Sequence, residues 1–457
     1  MKITNPTGID IFEVILFKVE FLPHLVTFLT LLWYFIPSSS NDISNISSDI
    51  SNVTKGAKPA RKWVTLKLFV LLYIPLCIVV MAATTFAVSW EDAYMRGYDI
   101  FSQPSLRPML EAYIETGDGD LTDILESNKY APTLGVYEIR YLFKDLLRHT
   151  LLHSNDHNED NIDEGYNKGN DWFRYFLGET MMYTSGLYPT GKESLTEAQN
   201  YKIDYVADAI QVQPGDSVLD IGCGWSYLAR RLAEEHGANV TGITLSKEQR
   251  QYFLDLDFQN KVTILLQDAM RLKERNDLPI GGFDKITSLE MAEHVGIRRY
   301  QEFLKHVHSL LKDDGVFYFQ VAGLRRAWRF EDLVWGLFMG EHVFPGADAS
   351  CPLGWVSTQV ERAGFEIQRV HNMGTHYSRT IDHWLENWRS NQQEVEQKFG
   401  AAAYRRWEVF LAWSVRVARQ GSSTLFMLTL TKAGQEARRI ESQMNVVPKY
   451  VQYKPEF

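Results

Sequence analysis

The hydrophobic pattern divides the chain into an apolar beginning and a long alternating remainder. Leu68 to Val88 reads LFVLLYIPLCIVVMAATTFAV without a charge. Such a run of roughly 20 residues makes about 30 Å of helix, enough to cross a bilayer. Pro75 is tolerated inside a membrane span, and Trp90 follows at the interface position that Trp favours. A buried core helix is the competing reading. An earlier apolar segment, Ile11 to Ile36, carries Glu13, Lys18, Glu20 and His24. It predicts either a second span starting near Phe21 or a helix lying in the interface. It lacks the basic start and small-residue cleavage site of a signal peptide. Pro37 to Ala60 between them is rich in Ser and Asn and reads as a loop.

Beyond Trp90, helical periodicity runs through Pro104 to His153, with a polar break at Ser154 to Asp163. From Gln211 onward, short β-branched runs alternate with amphipathic stretches, which predicts a parallel α/β sheet. The strands are expected at Ser217–Ile221, Asn239–Ile243, Val262–Leu266, Lys285–Ser288, Val316–Gln320, Glu366–Asn372 and Thr424–Leu430. Helices fill the gaps, notably Tyr227–His236, Arg298–Leu311 and Gly354–Ala363. The aromatic segment Arg325 to Pro352 interrupts the pattern and is expected to be a helical lid or a packed helical hairpin. The resulting organisation is a membrane anchor over residues 1–90 and a helical extension over 91–164. A seven-stranded Rossmann-like α/β domain over 165–432 and a tail over 433–457 follow.

Composition narrows the chemistry. The 457 residues are 45% hydrophobic and 23% charged, with a net charge of −10. That balance argues against a general nucleic-acid binder, which needs a basic face. The cysteines Cys77, Cys223 and Cys351 have no CxxC spacing, so neither a disulfide framework nor a zinc site is indicated. The sequons at Asn45 and Asn52 matter only if their loop is lumenal. Lys55, Lys58, Arg61, Lys62 and Lys67 favour the cytoplasmic side for that loop. That rule by itself places the rest of the chain in the lumen; the expected topology is instead a membrane hairpin in the endoplasmic reticulum with the α/β domain cytosolic.

The strongest local motif is VLDIGCGWS, Val218 to Ser226. A buried strand ends near Asp220, and a turn with Gly222 and Gly224 lets the backbone approach a ligand. The dinucleotide fingerprint wants a third glycine where this chain has Tyr227, which argues against NAD. The Asp-x-Gly-x-Gly form fits the amino acid and ribose of S-adenosylmethionine; a tight turn with no ligand is the competing reading. The second strand ends GITLSKEQ, where Ser246 and Gln249 form a capping box. The third ends LLQDAM, where Gln267 and Asp268 could meet an adenine, Asp268 accepting from an amine.

These pieces resemble the cyclopropane fatty acid synthase family. The resemblance covers roughly Gly165 to Lys432. It rests on YNKGNDWF (Tyr166–Phe173), YTSG (Tyr183–Gly186), VLDIGCGW, GITLSKEQ, LLQD, LEMAEHVG (Leu289–Gly296) and HYSRT (His376–Thr380). The FQVAGLR stretch (Phe319–Arg325) and the apolar N-terminus point to the sphingolipid C9-methyltransferase branch. The resemblance implies methyl transfer from S-adenosylmethionine to an alkene carbon of a membrane lipid, the Δ8-unsaturated sphingoid base of glucosylceramide. Tyr183, Thr184, Asp220, Gly222, Gly224, Thr244, Leu245, Ser246, Gln249, Gln267, Asp268 and Ala269 would then surround the cofactor. Glu293 and Tyr377 match positions that hold a bicarbonate ion near the reacting carbon. The chain departs from the cyclopropane branch at Ser185 (Cys there), at Gln320 (His there) and at Gly165 (often His). Ser185 and Gln320 can still offer hydrogen bonds to an anion.

An alkene is a weak nucleophile, so such a site supplies position, dryness and a base. Glu293 is the carboxylate expected to remove the proton, directly or through the anion. Removing it from the methylated carbon gives a branched alkene; removing it from the new methyl gives a ring. Ring formation on phospholipid acyl chains and a cofactor-binding scaffold without turnover are the rival functions.

Overall fold

The computed structural model describes residues 105–127, 169–258, 261–275, 278–297, 299–325, 330–343 and 351–434. All of them fall within one compact unit, Gln103–Phe457. Ile11–Ile36, the loop 37–60, Leu68–Val88, Gly165–Lys168 and the tail from 435 lie outside the described residues. Among the described residues, no helix is long and apolar enough to cross a membrane.

The element order begins with helices α1 (Leu106–Thr116), α2 (Leu121–Glu126), α3 (Asn170–Leu177) and α4 (Leu195–Ile210). The alternating core follows: β1 (Ser217–Ile221), α5 (Tyr227–His236), β2 (Asn239–Thr244), α6 (Lys247–Asp255), β3 (Val262–Leu266), β4 (Phe283–Leu289), α7 (Tyr300–Leu310) and β5 (Leu311–Leu324). The chain then runs through α8 (Phe330–His342), α9 (Leu353–Arg362), β6 (Phe365–Asn372), α10 (Gly374–Ser390), α11 (Gln392–Phe399), α12 (Ala401–Arg419) and β7 (Ser423–Lys432).

The seven strands form one sheet in the order β3-β2-β1-β4-β5-β7-β6. Neighbours from β3 to β5 pair in parallel. The expected all-parallel sheet is corrected at its far side, because β7 inserts antiparallel between β5 and β6. Hydrophobic runs give a strand's position but not its direction. Strand β5 is also longer than expected, because VFYFQVA is buried on both faces and β7 pairs with it along its length.

Helices cover both faces. Helices α4 and α5 bury Ile203, Val206, Leu228 and Leu232 against Val218, Val240, Val316 and Tyr318. Helices α7 and α9 bury Phe303, Leu304, Val356 and Val360 against Leu219, Ile286, Phe317 and Leu428. Helix α4 begins with a complete capping box, in which Ser194 accepts from the Glu197 N–H and Glu197 accepts from the Ser194 N–H. A box of this kind is worth about 1 kcal/mol.

A third core is helical and aromatic. Trp172 and Phe176 of α3, Trp384 and Trp388 of α10, and Trp407 and Trp413 of α12 pack together. Trp172 lies 4.9 Å from Trp388, and Trp388 stacks on Tyr404 at 5.7 Å. Helix α8, inside the expected lid, adds Val334, Trp335 and Phe338 to this core, Phe338 lying 5.5 Å from Trp413. Its last turn is fixed by the buried Arg107 guanidinium, which bonds Glu111 and Glu341. Residues 326–329 and 344–350, on either side of it, lie outside the described residues.

Candidate active site

The C-terminal ends of β1, β2, β3 and β4 open onto a cleft that encloses about 1250 Å³ including its mouth. Open α/β sheets bind ligands at this end, because the loops leaving parallel strands diverge there. The cleft begins at the glycine turn. Gly222 and Gly224 have φ of +77° and +54°, left-handed values that favour glycine. A Cβ on Gly222 would come within 2.6 Å of the Met291 side chain, whereas Gly224 faces open space. The crowding at Gly222 therefore comes from the protein itself. Ser226, which caps α5 at φ +65°, also sits in the left-handed region. Tyr227, at the position of the missing third glycine, uses its hydroxyl to bond Asn200 at 2.9 Å and ties α5 to α4.

Eleven of the twelve residues expected around the cofactor line the cleft; Ser246 does not. Ser246 works on the backbone, its hydroxyl accepting from the Gln249 N–H at 3.2 Å. The expected reciprocal capping box is absent. The Ser246 N–H donates to the Thr244 hydroxyl at 3.1 Å, and Thr244 in turn donates to the Gln249 side-chain oxygen at 2.6 Å. Gln249 is thus turned toward the end of β2 and the cleft. Asp268 caps its own turn by accepting from the Met270 N–H at 2.9 Å. Asp220 is buried and accepts from the Thr287 hydroxyl at 2.8 Å. Burial pushes it up to about 6, while Thr287 and Lys202 act in the opposite direction.

The YTSG loop forms the opposite wall. Tyr183 is wedged among Phe173, Phe176 and Trp384, with ring centroids 5.3 to 5.7 Å away. The HYSRT motif holds the loop from behind. Thr380 accepts from the Gly186 N–H at 2.9 Å, and His376 Nδ1 accepts from the Tyr188 N–H at 3.0 Å. Gly186 itself abuts Ala198 of α4, which a Cβ would meet at 2.9 Å.

None of Glu293, Tyr377, Ser185 and Gln320, the residues expected at the reacting centre and its anion, lines the cleft. Ser185 and Gln320 are fully buried and meet one another through Glu290. The Ser185 N–H donates to Glu290 Oε1 at 2.8 Å, and the Gln320 amide donates to the same oxygen at 2.5 Å. Glu293 turns toward β5, where its Oε1 accepts from the Ala322 N–H at 2.5 Å. Burial, and then the charge of Glu290, push Glu293 up to about 8, so it carries a proton at neutral pH. Tyr377 lies on α10 and packs between the aromatic core and the α4–α5 core.

Two charged residues escaped the sequence reading. Glu290 follows β4 immediately, lines the cleft and has φ +50°. Lys202 is fully buried on α4 and donates to the Thr184 hydroxyl at 2.5 Å. Burial pushes Lys202 down to about 7, against the opposing pull of Glu290 and Asp220. Glu290 was legible as a carboxylate at the end of the fourth strand; Lys202 reads as an ordinary surface lysine on an amphipathic helix. His294 also lines the cleft, and burial holds it down to about 4, so its ring is neutral. Burial pushes the Cys223 thiol up, which leaves it a thiol rather than a nucleophile.

Comparison with known proteins agrees with this geometry. Residues 153–428 match the family described as mycolic acid cyclopropane synthetase. A sphingolipid C9-methyltransferase of Gibberella zeae is 43% identical over 340 residues, covering 72% of this chain and 64% of that protein. One from Komagataella phaffii is 41% identical over 328 residues, covering 69% and 66%. The chain thus spans just under two thirds of the length of these relatives. A solved cyclopropane synthase from Mycobacterium tuberculosis superposes with a TM-score of 0.55 at 27% identity, covering 60% of this chain and 98% of that one. A mycolic acid cyclopropane synthase complexed with SAH and CTAB gives 0.56 at 28%, with the same coverage. With the matching region extending over more than half of its length, the chain belongs to the mycolic acid cyclopropane synthetase family.

Proposed function

We propose that this protein is an S-adenosylmethionine-dependent C-methyltransferase acting on an alkene carbon of a membrane lipid. Its substrate would be the Δ8-unsaturated sphingoid base of glucosylceramide, which gains a 9-methyl branch. The observation that carries the reading is the cleft at the strand ends, where a glycine turn, the Thr244–Gln249 pair and the Gln267–Asp268 crest converge. The similarity to sphingolipid C9-methyltransferases supports the lipid class.

The residues fit the cofactor. Gly222 and Gly224 would admit its amino-acid portion, Gln249 would face its ribose, and Asp268 would accept from the adenine amine through its uncommitted oxygen. When bound, S-adenosylmethionine supplies a methyl group on a positive sulfur, whose bond to carbon breaks as the alkene π pair forms the new one. The chain's own task is to hold the acceptor in line and keep water out. Met181, Trp225, Met291 and Phe303 give the cleft an apolar wall suited to both. The apolar segments in residues 1–90 would bring the site to the membrane, placed in this proposal in the endoplasmic reticulum with the catalytic domain cytosolic.

The test is lipid mass spectrometry in a host that makes Δ8-unsaturated sphingoid bases, with and without the protein. The expected result is glucosylceramide heavier by one CH₂ on the base, with its double bond retained. Methylation or ring formation on phospholipid acyl chains instead would sink the sphingolipid assignment. S-adenosylmethionine binding with no modified lipid would point to a scaffold.

A further inference from the structure

The anion expected from the family resemblance meets an obstacle in the polar network behind the cleft. Ser185 and Gln320 stand at two of the positions where the resemblance places bicarbonate. In this chain both already serve a carboxylate: the Ser185 N–H and the Gln320 amide converge on Glu290 Oε1. The Ser185 hydroxyl is directed at the Gly186 carbonyl at 3.1 Å and has no role toward the cleft. A bicarbonate ion does not fit this arrangement. It would have to displace Glu290, or add a negative charge beside the two carboxyl groups, Glu290 and Asp220, that already face the buried Lys202.

We propose that Glu290 is the built-in anion of this site and the base for the reaction, so that the enzyme works without bicarbonate. This inference rests on the methyltransferase reading above. Three further observations support it. Glu290 is brought to the cleft by a strained backbone: φ +50° is a left-handed value that a glutamate adopts only when its surroundings enforce it. Its backbone is pinned there by the N–H bond to the Gln320 carbonyl at 2.8 Å. Its second oxygen, Oε2, takes no hydrogen bond among the described residues, so one oxygen is held by donors while the other remains available. The rival groups are worse placed. Glu293 does not line the cleft and carries its own proton, and His294 lines the cleft but adds no charge.

In the step assigned to Glu290, the C–H bond at the methylated carbon breaks. Its electron pair becomes the π bond to the neighbouring cationic carbon, and the proton ends on Glu290 Oε2. The proton leaves to water once the product departs. Lys202 is a positioning residue. Burial pushes the Glu290 carboxyl up, and the Ser185 N–H, the Gln320 amide and the charge of Lys202 pull it back toward its ionised form; the bond from Lys202 to Thr184 joins that charge to the loop carrying Tyr183.

The experiment uses the full chain and begins without lipid. Isotope-labelled bicarbonate is titrated into the wild type and into Glu290→Gly and followed by NMR. Glycine suits φ +50°, so this variant relieves strain while it vacates the anion position. The wild type should bind no bicarbonate, and the variant should bind it. In lipid turnover, the wild type should be indifferent to carbon dioxide depletion. Glu290→Gln should lose about 100-fold or more in rate while S-adenosylhomocysteine binding, measured by calorimetry, stays unchanged. Bicarbonate binding to the wild type, bicarbonate-dependent turnover, or a fully active Glu290→Gln would each overturn the proposal. If neither variant folds, the wild-type titration and depletion assay still decide. If the wild type modifies no sphingoid base, the function assigned above fails, whereas the titration continues to judge Glu290.

Discussion

Two glutamates three residues apart are both pushed up by burial in this fold, yet they are held differently. Glu290 is held by two N–H donors and faces Lys202, whereas Glu293 has one donor and lies deep beside Glu290's charge. Divergent environments of this kind divide acid and base roles between neighbouring carboxyls. The consequence for stability has a definite sign. Glu293 ionises near 4.5 in its ordinary state and near 8 in the fold. Between those values the native state keeps a proton that the unfolded chain has lost. This group's contribution to stability is therefore greatest at low pH, falls across that window and levels off above it. Glu293→Gln should flatten the decline in unfolding free energy between about pH 5 and pH 8, measured by urea titration at several pH values. An identical slope in variant and wild type would show that Glu293 is ionised in the native protein. Neither the protonation of Glu293 nor the role of Glu290 is legible in LEMAEHVG, because both depend on which side chains lie opposite.

Helix α10 shows how one element supports a site without entering it. Its HYSRT segment is conspicuous in the sequence, and the natural expectation puts Tyr377 at the reacting centre. In the fold, the residues of this segment that meet the YTSG loop are His376 and Thr380, which receive the N–H groups of Tyr188 and Gly186. Gly186 abuts Ala198 of α4 and the Leu187 N–H donates to the Ala198 carbonyl at 2.8 Å, so the loop cannot shift without breaking those bonds. Replacing Thr380 with Val keeps the shape but leaves the buried Gly186 N–H without its acceptor, a loss of about 1–3 kcal/mol. The expected outcome is a lower unfolding free energy together with weaker S-adenosylhomocysteine binding, read by calorimetry. Lost stability with unchanged binding would show that the loop's anchoring is unrelated to the cofactor. The strands and helices themselves were largely readable in the sequence, since burial on one face or two leaves a period of 3.6 or a solid apolar run. The incomplete capping box at α6 was not readable, because Thr244 competes for Gln249 from the preceding strand.

At the scale of the whole molecule, the cleft gathers residues from four strand ends and from the loop after α3, with the aromatic core of α3, α10 and α12 behind one wall. A ligand seated there binds the folded chain and not the unfolded one. S-adenosylmethionine at 100 times its dissociation constant should therefore add about 2.7 kcal/mol to the unfolding free energy, visible as a concentration-dependent rise in melting temperature. A melting temperature independent of the cofactor would remove the cleft from consideration as its site. The sequence by itself determined the α/β alternation, the glycine turn after β1 and the polar crests of β2 and β3, because each is a local consequence of side-chain period or backbone freedom. Tertiary structure alone decided three other features: the antiparallel place of β7, the packing of α8 into the aromatic core, and the union of Lys202, Thr184, Ser185, Glu290 and Gln320 into one network. Those residues are spread from position 184 to position 320. Their hydrogen bonds and opposed charges exist only because α4, the YTSG loop, β4 and β5 are packed side by side, and a one-dimensional pattern carries no record of such distances.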